Sequence, residues 1–135
     1  MSAITIDRTG TRDGLLRLAM RADAVITGLA GVAGIPLAGW LSELSATTLA
    51  TEYAMSAFFI AYGVVVFGLA ALPSVRRAGM GVIIANLLYT VAAVVAVFAV
   101  SLTTTGVVLT LASGVYTLVF AELQYQGWRR APRLR

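Results

Sequence analysis

The chain has 135 residues, 59% of them hydrophobic and 12% charged, with a mean hydropathy of +0.89. That is too apolar for a water-soluble domain, and at about 20 residues per crossing it leaves room for about four membrane-spanning helices in a single domain. The net charge of +4 comes from ten arginines against six acids, with no lysine and no basic face interleaved with aromatics, which points to membrane topology and away from nucleic acid.

Residues 1–12 are polar, aperiodic and interrupted by Gly10, and are expected to form a loose cytoplasmic tail. Asp13 stands at an N-cap position before the periodic run LLRLAMRADA, and Asp13, Arg17 and Arg21 stack at i, i+4 and i+8 on one helical face. No charge follows from Ala24 to Leu41, so the first span is expected near 14–41. A cleaved signal peptide fits poorly, because the apolar run is longer than a usual signal core and three more spans follow. Within this span Gly28, Gly31 and Gly34 recur every third residue, and Ala24/Gly28 and Gly34/Ala38 are small-xxx-small pairs. Such a surface lets another backbone approach closely, from helix 2, helix 4 or a second protomer. Pro36 removes one helical hydrogen bond and is expected to kink the outer third of the helix.

A short connection with Glu43 and no cation leads to the second span, expected near 51–72 and ended by Pro73 and the pair Arg76–Arg77. The 44 residues from Ala78 to Ala121 carry no charge, too many for one crossing and right for two. The cap- and turn-forming run Ser101–Gly106 divides them, placing spans near 79–100 and 105–127. Residues 128–135 form a basic tail with Trp128 at its root. All ten arginines fall in the N-terminal segment, the connection between spans 2 and 3, and the C-terminal tail. By the positive-inside rule this puts both termini of a multi-pass membrane protein in the cytoplasm. The expected fold is an all-α, antiparallel four-helix transmembrane bundle.

Two sets of polar residues within the spans invite attention. Asp23 and Glu122 lie at the membrane boundary, where an ionisable group marks a functional site or a paired one. An ion-pair network of Arg17, Arg21, Asp23 and Glu122 is the expected arrangement, with a proton or ion site as its alternative. Asn86, Tyr89 and Thr90 share a face of the third span, and Thr110, Ser113, Tyr116 and Thr117 form a stripe on the fourth. Asn86, Tyr89, Thr90, Ser113, Tyr116 and Thr117 could therefore wall a polar pocket between helices 3 and 4, or simply hydrogen-bond across the interface. The orientation of Ser56 and Tyr62 on the second span is open.

The chain lacks cysteine and histidine, which removes disulfides, haem ligation by histidine and the usual zinc and iron–sulfur sites. No nucleotide loop, activated nucleophile or paired catalytic carboxylates occur. No catalytic residue, metal or cofactor is expected, and the residue inventory speaks against an enzyme.

The stretches LRLAMRADA (16–24), ANLLY (85–89) and FAELQYQGWRR (120–130) resemble those of small four-span integral membrane proteins of high-GC, actinobacterial type, which have no established activity. In length and in the charged start of helix 1 the chain is also loosely similar to DoxX-like proteins, some of them tied to respiratory or redox complexes. These resemblances imply a bacterial inner-membrane location and an accessory role. The functional expectation is thus a non-catalytic accessory or interaction subunit, or a homo-oligomer, meeting its protein partner through the glycine face of helix 1 within the lipid bilayer. The alternative is a small transporter or a lipid- or small-ligand-binding protein using Asp23 or Glu122 and the polar pocket.

Overall fold

The structure, a computed structural model, describes residues 12–133. Four helices follow one another: α1 (Ser2–Ser45, described from Arg12), α2 (Leu49–Leu69), α3 (Arg76–Ala99) and α4 (Thr104–Arg130). Apart from Arg12, the tail expected over residues 1–12 lies outside the described residues. Each helix is long and apolar enough to cross a membrane, and together they form an all-α four-helix bundle of a multi-pass membrane protein.

Local chemistry sets the ends. α1 runs past Leu41, where the first span was expected to stop, because nothing in Leu41–Ser45 breaks a helix. It ends against Ala46, which takes the left-handed conformation at φ 61°. α2 begins at Thr48, whose hydroxyl accepts from the Thr51 amide, and α4 begins at Thr103, whose hydroxyl accepts from the Gly106 amide at 3.0 Å. Thr103 also donates from Oγ1 to the Leu44 carbonyl at 2.5 Å, tying the start of α4 to the end of α1. α4 continues to Arg130, beyond the expected limit near 127, and stops before Pro132.

At the opposite, arginine-rich end, guanidinium groups satisfy carbonyls that the helix ends leave open. Arg17 donates to the carbonyls of Ala70 (2.9 Å), Leu72 (2.6 Å) and Pro73 (2.9 Å) just after α2. Arg76 donates to Trp128 O and Ala131 O at the end of α4, with its guanidinium 3.9 Å from the Trp128 ring centre. Between these clamps lies the apolar core of Leu16, Met20, Ala24, Val66, Ala70, Val75, Val82 and Ala131.

The helices associate as two pairs. α1 packs along α2, α3 packs along α4, and α1 joins the pairs by packing on α4. α2 and α3 have no comparable backbone packing and are bridged by rings, Phe59 and Tyr89 lying 6.1 Å apart. Two adjacent helices held apart on one side leave space inside the bundle.

Candidate functional site

Asp23 is fully buried, and its carboxylate collects donors from all four helices. Its own helix contributes Thr27, one turn on, whose Oγ1 donates to Oδ1 at 3.1 Å. From α2, Tyr62 donates its hydroxyl to Oδ2 at 2.6 Å. From α3, Asn86 donates from Nδ2 to the same oxygen at 3.0 Å. α4 supplies two donors, Gln124 Nε2 to Oδ2 at 2.9 Å and Tyr116 Oη to Oδ1 at 3.1 Å. Asn86 and Gln124, 2% and 0% exposed, are also joined directly, Asn86 Nδ2 donating to Gln124 Oε1 at 2.9 Å.

Every one of these donors is neutral. Among the described residues the one salt bridge is Arg17 to Asp13, at 3.0 Å, and no cation pairs with Asp23. The expected ion-pair network is therefore not the arrangement found. Arg17 is turned toward Asp13 and the carbonyls after α2, Arg21 is exposed, and Glu122 is exposed and accepts from Gln126 Nε2 at 2.8 Å. The physical reason is depth. Asp23 lies six residues beyond Arg17, about 9 Å of helix rise, and points into the bundle while Arg21 points out. The carboxyl group is held by fixed dipoles from all four helices, with no cation among them.

Beside this junction is a cavity of about 200 Å³. Its wall takes Ile26, Thr27 and Ala30 from α1; Phe58, Phe59 and Tyr62 from α2; Ala85, Asn86 and Tyr89 from α3; and Ser113, Tyr116 and Thr117 from α4. Of the six residues expected to form a pocket between helices 3 and 4, Asn86, Tyr89, Ser113, Tyr116 and Thr117 border this space, a half-open pocket to whose wall all four helices contribute. Thr90 instead sits in the α3–α4 seam, its Oγ1 within 3.1 Å of Asn86 O, Gly114 O and Thr117 Oγ1. Tyr89 donates to Ser113 Oγ at 3.1 Å across the same seam.

Gly28, Gly31 and Gly34 face α2. A Cβ added at Gly31 would come within 2.7 Å of Ser56 O, Gly28 lies opposite Gly63, and Gly34 lies against the Ser56 hydroxyl. The face expected to receive a protein partner is filled by the chain's own second helix, because glycine there removes the side chains that would hold the two backbones apart.

Thr27 and Gln124 are absent from the residues singled out in the sequence, and Tyr62 was only named there. Thr27 stands one helical turn from Asp23. Tyr62 had no assigned direction. Gln124 follows Ser113 by eleven residues, which returns it to within about 20° of the same helical face. Glu122, the charged neighbour, attracted the attention that Gln124 warranted. No protein-family model matches the chain, and no match was found among curated proteins or solved structures.

Proposed function

We propose that this four-span membrane protein is a non-catalytic binding protein that takes a small, largely apolar molecule into the cavity between its helix pairs. One observation carries the reading: a cavity walled by all four helices is bordered by Thr27, Tyr62, Asn86 and Tyr116, four of the side chains that hold a fully buried carboxylate. Binding sites of this kind are concave, mostly apolar and fitted with a few convergent polar groups, and bundle interiors are a common place for them. A volume of about 200 Å³ suits a molecule a little larger than benzene, which occupies engineered cavities of about 150 Å³. An ionisable residue at membrane depth, held by side chains from every helix, supports the same reading.

An interaction-subunit reading keeps the support of a compact chain with little reactive chemistry, while the glycine face of α1 is covered by α2. The distribution of arginine supports an orientation with the Arg17/Arg76 end in the cytoplasm.

The test is a titration of propylbenzene into the protein in phosphatidylcholine nanodiscs, followed by methyl resonances of Ala30 and Ala85. Saturable shifts at these methyls, abolished by Ala30→Phe, are expected. Shifts that rise linearly with probe in the lipid and ignore Ala30→Phe would remove the cavity as a binding site.

A further inference from the structure

Resting on the reading of the cavity as a binding site, we infer that its ligand is an organic ammonium: an N–H-donating cation on a small apolar body. The inference comes from counting donors and acceptors at the cavity wall. Six hydroxyls border the space, and each has an acceptor inside the protein for its single hydrogen. Tyr62 gives its hydrogen to Asp23 Oδ2, and Tyr89 gives its to Ser113 Oγ. Ser113 gives its to Thr110 O at 2.7 Å, and Thr117 gives its to Gly114 O or shares it with Thr90. The hydrogens of Thr27 and Tyr116 stay within the triangle they make with Asp23, whichever of the two donates to the other.

Asn86 completes the pattern. Both hydrogens of its Nδ2 are committed, one to Asp23 Oδ2 and one to Gln124 Oε1. The amide cannot be turned over, because that would set its oxygen against the carboxylate. Its Oδ1 consequently receives no donor from the described residues, in a side chain that is 98% buried and borders the cavity. No sealed side-chain nitrogen or oxygen in the described residues lacks a partner, so Oδ1 is placed at the cavity surface. The wall is therefore almost wholly apolar, made of aliphatic groups and aromatic rings, with Asn86 Oδ1 as its open acceptor and no free polar hydrogen.

Charge points the same way. Asp23 faces Thr27 on its own helix, Tyr62 on α2, Asn86 on α3, and Tyr116 and Gln124 on α4, none of them cationic. With four or five donors already on its two oxygens it has no lone pair free for a ligand, so in this proposal its carboxylate acts through the field and not by direct contact. A bare metal cation finds no such carboxylate lone pair to coordinate. An ammonium group instead donates to Asn86 Oδ1, feels the field of Asp23, and rests among Phe58, Phe59 and Tyr89 in a cation–π environment. A carbonyl compound would bring an acceptor to a wall that has no free donor for it.

The experiment compares three probes of one size in the same nanodiscs, each corrected for its partition into empty nanodiscs: 2-phenylethylamine as its ammonium ion, propylbenzene, and acetophenone. The ammonium ion is expected to bind about tenfold or more tightly than propylbenzene, and acetophenone no better than propylbenzene. In Asp23→Asn the advantage of the ammonium ion should disappear while propylbenzene binding persists. The wild-type comparison stands alone if that variant does not fold. Saturable propylbenzene binding without an ammonium advantage, or with acetophenone the tightest of the three, would overturn the ammonium assignment and leave the cavity reading intact. Failure of all three probes to bind would remove both.

Discussion

The two helix pairs are held together by different means. Along α1 and α2 contact is made by absence: at Gly63 an added Cβ would lie 2.6 Å from Ala24 O and 2.9 Å from Gly28 Cα, so the backbones themselves are the packing surface. Along α3 and α4 contact is made by hydroxyls, Thr90 meeting Thr117 at 2.7 Å and Tyr89 donating to Ser113. The first seam is close and unforgiving, since rigid backbone cannot yield to a new side chain. The second is a set of individually modest bonds with neighbouring acceptors to spare. Asp23 belongs to neither seam. It binds both pairs at once, taking donors from α2, α3 and α4, and it does so beside the space that the sparse α2–α3 packing leaves open.

Removing the junction should have the largest effect. Asp23→Leu leaves the amides of Asn86 and Gln124 without their shared acceptor in a nearly inaccessible site, at about 1–3 kcal/mol for each stranded group. Reversible unfolding in mixed micelles is expected to show a loss of several kcal/mol, or no folded protein. A variant within about 1 kcal/mol of wild type would mean that the pairs cohere without the carboxylate.

Breaking the close seam comes next. Gly63→Val forces a branched side chain against Ala24 O and Gly28, and overpacking of this kind costs about 1–3 kcal/mol. Crosslinking of cysteine pairs introduced across α1 and α2 should fall in parallel with stability. Undiminished crosslinking would show that the seam can open to admit a side chain, contrary to the account given of it.

The hydroxyl seam should be the most tolerant. Thr90→Val keeps the shape and removes the hydroxyl, and interhelical hydrogen bonds in membranes average about 0.6 kcal/mol and reach about 1.7. A double-mutant cycle with Thr117→Val is expected to return a coupling in that range. A coupling as large as the Gly63→Val penalty would erase the distinction between the two seams.

Some of this could be read directly from the residues. A long uncharged run interrupted by SLTTTG must be two crossings, and Gly28, Gly31 and Gly34 at every third position must make a close-packing surface. That Asp23 required partners also followed from its position, because a carboxylate in a membrane helix is costly without them. Even Gln124 was legible, eleven residues along the face that carries Ser113.

What the sequence by itself determined, then, is the four spans, the end at which arginine gathers, and the faces each helix has to offer. Which face meets which was decided by tertiary structure alone. In a soluble bundle apolar residues mark the inward side, but in lipid both sides of a helix are apolar and hydropathy loses that information. Periodicity along α1 brought Asp23 near its own arginines, and only the assembled bundle turned it away from them, toward neutral donors on three other helices. The cavity has the same origin: it belongs to no segment, and exists because one side of the ring of four helices is not closely packed.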